Sequence, residues 1–322
     1  MKIVYMGTPE FAVPCLETIV RSEGVEIAGG FTQPGRPKGR GNKLTPPPVK
    51  VAAQKAGIPV FQPEKIKSEE ALAILKTLKP DLIVVVAYGQ ILSQEILNLP
   101  AHGCINVHAS LLPKLRGASP IQWAIVSGER QTGVTTMKMS TGLDEGDILL
   151  KDSLKLSEDI TGGQLHDLLM EMGAKVLKET LTRLMEGTLK PEPQDHALAT
   201  YAPKIEKKMA EIDWRNSAEE ISALVRGFDP WPAGLSSLGA VKLKLFAPEV
   251  VRHDELDPAA VQTEPGTLID IDRFSFTVKA GRGAVRFFEI QAPGARRMKV
   301  SDYLLGHSLK QGDYFTGGLQ RE

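Results

Sequence analysis

Leu82-Ile83-Val84-Val85-Val86-Ala87 decides how the first half of the chain is read. Six consecutive apolar residues, rich in valine, describe a strand buried on both faces, whereas a half-exposed strand would alternate apolar and polar. Strands of that kind occur in parallel sheets covered by helices. The run is far too short to cross a bilayer. Upstream, Ile3-Val4-Tyr5-Met6 reads as a strand entering a Gly7-Thr8-Pro9 turn, then a helix through Phe11, Leu16, Ile19 and Val20. Val25 to Thr32 reads as a second strand. Downstream, Ile105 to His108 and the alternating Val134 to Met139 add two more. Leu165 to Leu184 is a long helical pattern, with Leu168, Leu169, Met172, Val176 and Leu177 on one face. Strands alternating with helices predict an α/β fold, a Rossmann-like open, mostly parallel sheet whose ligands bind beyond the carboxyl ends of the strands. The turn Gly7-Thr8-Pro9-Glu10-Phe11 is not G-x-G-x-x-G, so no NAD-type dinucleotide is expected.

The alternation stops at Pro191-Glu192-Pro193-Gln194-Asp195, which reads as a linker. Beyond it, Ser217-Ala218-Glu219-Glu220 is a capping box opening a helix through Ile221, Leu224, Val225 and Phe228. Phe228-Asp229-Pro230-Trp231-Pro232 ends that helix, because proline cannot continue it. Short strands follow at Val241 to Phe246, Gly266 to Ile271, Ser275 to Val278 and Ala284 to Ile290, the pattern of a small β-barrel. The expected division is a catalytic domain over 1–189, a linker over 190–206, a second domain over 207–315 and a tail over 316–322.

The chain has 322 residues, 42% hydrophobic and 24% charged, with a net charge of +0, so a polyanionic partner must be met by a local basic patch rather than by bulk charge. Two cysteines exclude a disulfide scaffold or a cysteine-ligated zinc. The opening Met1-Lys2-Ile3-Val4 lacks the apolar core of a signal peptide. A cytoplasmic monomer with no membrane association is the expectation.

Side chains alternate along a strand, so Asn106 and His108 share a face. An amide donor beside an imidazole at a strand end suits stabilisation of an oxyanion, and the loop Thr141-Gly142-Leu143-Asp144-Glu145-Gly146-Asp147 offers a carboxylate to orient the imidazole. A satisfied core histidine and a turn aspartate would give the same pattern. Cys104 lies on that face too, about two strand steps of roughly 6–7 Å from His108, which is too far for direct proton transfer, and reads as a packed thiol. The remaining histidines show no ligand spacing, and no metal is expected. Gly35 to Lys50 carries Arg36, Lys38, Arg40, Lys43 and Lys50 with no acid, a long loop with an electrostatic reason to meet phosphates or simply a solvated one.

Taken together, Asn106-Val-His108, Ser110-Leu111-Leu112-Pro113, Arg116-Gly117 and Gly133 to Asp147 resemble the folate-dependent formyltransferases. Gly7 to Phe11, Thr32-Gln33-Pro34, Tyr201 to Ile205, Ile212-Asp213-Trp214 and Phe228 to Pro232 extend the resemblance to about Phe315. They point to the branch that formylates charged initiator tRNA. The resemblance implies a Rossmann-like domain and an OB-like carboxyl-terminal barrel. It also implies transfer of the formyl group of 10-formyltetrahydrofolate to the methionine amine of initiator methionyl-tRNA. Asn106, His108 and Asp144 then match catalytic residues, Ser110 to Pro113 the folate segment, and the basic loop with Arg36, Lys38, Arg40 and Lys43 the tRNA contact. A formyltransferase acting on a sugar or small amine, a formyltetrahydrofolate hydrolase and a non-enzymatic tRNA-binding protein are the competing readings.

Overall fold

The structure is a computed structural model describing residues 1–38 and 43–317. The chain forms two compact units, one of residues 1–120, 131–155 and 166–203, the other of 121–130, 156–165 and the residues from 204 onward. Residues 121–130 and 156–165 thus group with the later part of the chain, a division that linear reading does not see.

The first unit is built on a seven-stranded sheet. Its strands are β1 (Lys2–Gly7), β2 (Glu26–Phe31), β3 (Val60–Phe61), β4 (Leu82–Val86), β5 (Cys104–His108), β6 (Gln131–Lys138) and β7 (Ile148–Lys155), in the order β7-β6-β5-β4-β1-β2-β3. β4 is the middle strand and all five of its residues are buried, which is why its sequence is continuously apolar. The strands from β3 to β5 run parallel, β6 is antiparallel to β5, and β7 returns antiparallel to β6. Winding reverses between β1 and β4, so the crevice expected of such sheets opens at their carboxyl ends. The turn after β1 is tight there: a Cβ on Gly7 would lie 2.9 Å from both the Ala12 Cβ and the Tyr5 ring.

Helices α1 (Val13–Val20), α2 (Pro48–Lys55) and α3 (Glu69–Leu78) flank the sheet, followed by the long α4 (Gly162–Met185). α3 begins where the Ser68 hydroxyl accepts from the Ala71 amide, with Glu69 and Glu70 in the first turn favouring the positive end of the helix dipole. One sheet face packs Val4, Met6, Phe31, Ile83 and Val85 against Ala71, Leu75, Ile96 and Leu97. The segment read as a loop from Gly35 to Lys50 holds more structure than its glycines and prolines suggested. Arg36–Lys38 and Lys43–Thr45 pair as an antiparallel ribbon, and α2 already begins at Pro48, where a proline in the first turn forfeits no helical hydrogen bond.

The second unit carries an antiparallel sheet of β8 (Gly234–Leu238), β9 (Val241–Val251), β10 (Leu268–Ile271), β11 (Phe276–Lys279), β12 (Ala284–Gln291), β13 (Met298–Lys299) and β14 (Phe315–Thr316). The order is β10-β11-β12-β9-β8-β14, with β13 on β12. The sheet curls far enough that Tyr314, just before β14, bridges Thr267, just before β10. β9 runs five residues past the expected end at Phe246. Its register with β12 is unbroken there, Phe246 pairing Glu289 and Pro248 pairing Phe287, with Ala247 between them at φ +48°. The expected capping box holds: the Ser217 hydroxyl takes the Glu220 amide and the Glu220 carboxylate takes the Ser217 amide, opening α5 (Ala218–Gly227). Ile221 and Val225 of α5 pack on an aromatic core in which Phe276 stacks on Phe315 at 5.5 Å and Trp214 meets Phe287 edge-on at 6.0 Å. Among the described residues no helix is long and apolar enough to cross a membrane.

Candidate active site

β5 presents the candidate pair. His108 is buried and Asn106 half-buried. The His108 Nε2 lies 2.9 Å from the Leu115 carbonyl oxygen, which can only accept, so Nε2 carries a hydrogen and donates it. The other ring nitrogen, Nδ1, faces the Asp144 Oδ2 at 3.7 Å. No hydrogen bond joins the Asn106 amide to any described residue, so its two N–H groups remain available to a ligand.

The loop bearing Asp144 leaves β6 beside β5, where the Met139 amide donates to the Cys104 carbonyl, and folds back over the histidine. Asp144 adopts φ +51°, a left-handed conformation that aspartate tolerates better than most residues. Its Oδ2 accepts from the Gly117 amide at 2.8 Å. One short segment, Leu115 to Gly117, therefore fixes both partners: its carbonyl holds the imidazole and its amide holds the carboxylate. Position 117 needs glycine, since φ is +116° and a Cβ would lie 2.7 Å from the Ala202 carbonyl.

That segment is bracketed by residues read as linker. Arg116–Gly117 pairs in parallel with Tyr201–Ala202, the Leu115 amide donates to the Thr200 hydroxyl at 2.9 Å, and the Arg116 amide donates to the Thr200 carbonyl. Gln194 joins the Arg116 guanidinium to the Asp144 loop. Sequence reading passed over Leu115, Gln194 and Thr200. The only signal was a glutamine and a threonine in a Pro-rich connector, where polar residues are usually solvated.

Cys104 is buried with its thiol toward the Ile96 and Leu97 carbonyls, and burial pushes its pKa up to about 12. In the Ser110 to Pro113 segment, the Ser110 hydroxyl donates to the Lys114 carbonyl and Leu112 is packed on Met137 and Ile148. Leu111 and Pro113 are half-buried, the two side chains of this segment that, unlike Ser110 and Leu112, are partly exposed. The backbone ribbon carries Arg36, Lys38 and Lys43, but their side chains, and all of Arg40, lie outside the described residues.

The sequence matches the Formyl transferase family over residues 1–181 and the Formyl transferase C-terminal domain over 204–308. It is 47% identical to a methionyl-tRNA formyltransferase of Alkaliphilus oremlandii, over 97% of this chain and 99% of that one. It is 49% identical to the protein of that name from Caldanaerobacter subterraneus subsp. tengcongensis, with the same coverage. This chain belongs to the methionyl-tRNA formyltransferase family. Among solved structures its fold resembles an N-formyltransferase of Helicobacter canadensis in complex with folinic acid and dTDP-3-aminofucose. That match has a TM-score of 0.65 at 16% identity and covers 92% of this chain and 100% of that one. HypX of Aquifex aeolicus in complex with tetrahydrofolic acid matches with a TM-score of 0.61 at 18% identity, over 98% of this chain, which spans 50% of HypX. The family fold is thus a mostly parallel α/β domain followed by a curled antiparallel β domain, as the sequence patterns predict.

Proposed function

We propose that this chain transfers the formyl group of 10-formyltetrahydrofolate to the α-amino group of methionine on initiator methionyl-tRNA. One observation carries the chemistry: His108 and Asp144 are both held by Leu115–Gly117 beside an Asn106 amide that has no partner among the described residues. The acceptor is inferred from the relatives, whose likeness spans nearly the whole chain.

The neutral amine attacks the formyl carbon and forms a tetrahedral centre with an oxyanion and a positive nitrogen. Asn106 donates an amide N–H to that oxyanion, a contact typically worth about 3–4 kcal/mol in such sites. The amine nitrogen must then lose a proton and the folate N10 must gain one. His108 Nδ1, with Asp144 beside it, is the place for that proton, because Nε2 is committed to Leu115. This refines the expectation that His108 donates to the oxyanion: it does so only through Nδ1, when that nitrogen is protonated. The centre collapses as the carbon–N10 bond breaks, giving formylmethionyl-tRNA and tetrahydrofolate, with no bond to the enzyme. Leu111 and Pro113 serve the folate, and the basic ribbon serves the phosphates of the acceptor end.

The test is to incubate the enzyme with 10-formyltetrahydrofolate, with and without charged initiator tRNA, and follow tetrahydrofolate release and formylmethionine. Release that requires charged tRNA and matches formylmethionine one for one is expected. Release without tRNA would mark a hydrolase, formylation of an amino sugar in place of tRNA would mark a sugar enzyme, and a trapped formyl-enzyme would exclude direct transfer.

A further inference from the structure

Gln194 stands in the stretch whose composition marks it as a connector, yet it is only 6% exposed. Its side-chain oxygen accepts from the Arg116 Nε at 3.1 Å and Nη2 at 2.7 Å. Its amide nitrogen donates to the Asp144 carbonyl at 2.8 Å and the Gly146 carbonyl at 2.7 Å. Guanidinium groups only donate and carbonyls only accept, so these partners leave one orientation for the amide. Glutamate would set an anion against two carbonyl oxygens. Arg116 is itself 3% exposed, and among the described residues it contacts no carboxylate: its partners are Gln194 and, at 3.4 Å, the His196 Nδ1. A buried cation without a counter-ion is costly unless its donors are satisfied.

The consequence for Asp144 follows from where the bonds land. Its carboxylate is tied to the Gly117 amide and its carbonyl to Gln194, which in turn is tied to the side chain of Arg116, the neighbour of Gly117. Two separate links therefore join the loop to one strand segment, and that segment also holds His108 through Leu115. With Gln194 removed, the loop is held at Asp144 by the carboxylate alone, in a left-handed conformation that a non-glycine residue leaves readily.

We infer that Gln194 is a positioning residue for formyl transfer: it sets the Asp144 carboxylate against His108 Nδ1 from a stretch that belongs to the first unit. The inference rests on the proposed formyl-transfer reading. Positioning errors of about 1 Å cost up to about a hundredfold in rate, so Gln194→Glu and Gln194→Ala are expected to lower kcat about tenfold to a hundredfold, with KM for folate and charged tRNA within about threefold.

Two measurements separate positioning from general stability. In a double-mutant cycle, Asp144→Asn with Gln194→Glu is expected to be no more than about twofold slower than Asp144→Asn alone, because a residue acting through Asp144 has nothing left to position. Hydrogen exchange, read without substrate, should quicken at the Gly117 amide in Gln194→Ala while β4 and β5 amides keep their protection. Rate losses that multiply in the double mutant, a kcat within about twofold of wild type in both single variants, or Gly117 exchange unchanged in Gln194→Ala would each overturn the inference. The exchange result stands even if the wild-type enzyme fails to formylate tRNA, so failure of the proposed reaction and failure of the positioning role are read separately.

Discussion

Two regions of this protein are held together by opposite means. The bracket around Leu115–Gly117 is polar: a buried arginine, a glutamine, a threonine hydroxyl and a strained aspartate joined by directed hydrogen bonds. The core of the second unit is apolar, with Trp214, Phe276, Phe287 and Phe315 packed ring on ring over α5. Dispersion and burial tolerate small shifts, whereas hydrogen bonds fix angles. The first region secures a geometry and the second secures a fold. Their failures should differ: rate without stability in one, stability without chemistry in the other.

The largest effect should come from the apolar side. Phe276→Ala, which removes a fully buried ring in contact with Phe287 and Phe315, is expected to lower unfolding free energy by about 3–5 kcal/mol in urea titration. A loss below about 1 kcal/mol would mean the aromatic cluster is looser than its packing implies. On the polar side, His108→Ala should lower kcat by about a hundredfold to a thousandfold, at a melting temperature close to wild type. An equally large loss of stability would erase the distinction between the regions.

Much of the first region's framework could be read from the sequence, and little of its bracket could. The apolar run at β4 and the paired Asn106 and His108 follow from periodicity, because strand side chains alternate and central strands exclude polar groups. Gln194 and Thr200 could not be found that way. Each contacts a segment some eighty residues distant in sequence, Gln194 reaching Arg116 and Thr200 reaching Leu115, and nothing local in a Pro-rich connector reports such a pairing. The nitrogen that His108 turns toward Asp144 was equally hidden, since it depends on a carbonyl supplied by Leu115. In the second unit, β9 runs past its expected end at Phe246 for a local reason: proline cannot donate to a sheet ladder and is scarce inside strands, yet Pro248 keeps its place in register opposite Phe287.

Smaller effects sharpen the contrast. Arg40→Ala should raise KM for charged tRNA and make the salt dependence of log K shallower by about 0.9, while KM for the folate is unchanged. A tRNA KM that does not move would return the basic loop to a solvated spacer. Cys104→Ala should keep kcat within about twofold, since the thiol is buried between carbonyls and lies apart from the relay. The cysteines act on pH stability instead. Burial raises Cys15 and Cys104 from 9.0 to about 12, so the unfolded chain releases these protons first as pH rises. Stability from this source is complete below about pH 9 and falls between about pH 9 and pH 12. Urea midpoints measured at about pH 8 and pH 10.5 should therefore separate less in Cys104→Ala than in wild type. An unchanged separation would mean the thiol does not titrate with unfolding.

The most direct test of the polar bracket is single-turnover formyl transfer from 10-formyltetrahydrofolate to charged initiator tRNA by wild type and Asp144→Asn. Asparagine keeps an oxygen for the Gly117 amide and removes the negative charge facing His108 Nδ1. The transfer rate should fall about a hundredfold or more while the folate KM stays within about threefold. A loss confined to KM would contradict the account, because Asp144 would then only seat the substrate and the bracket would have no part in moving the proton.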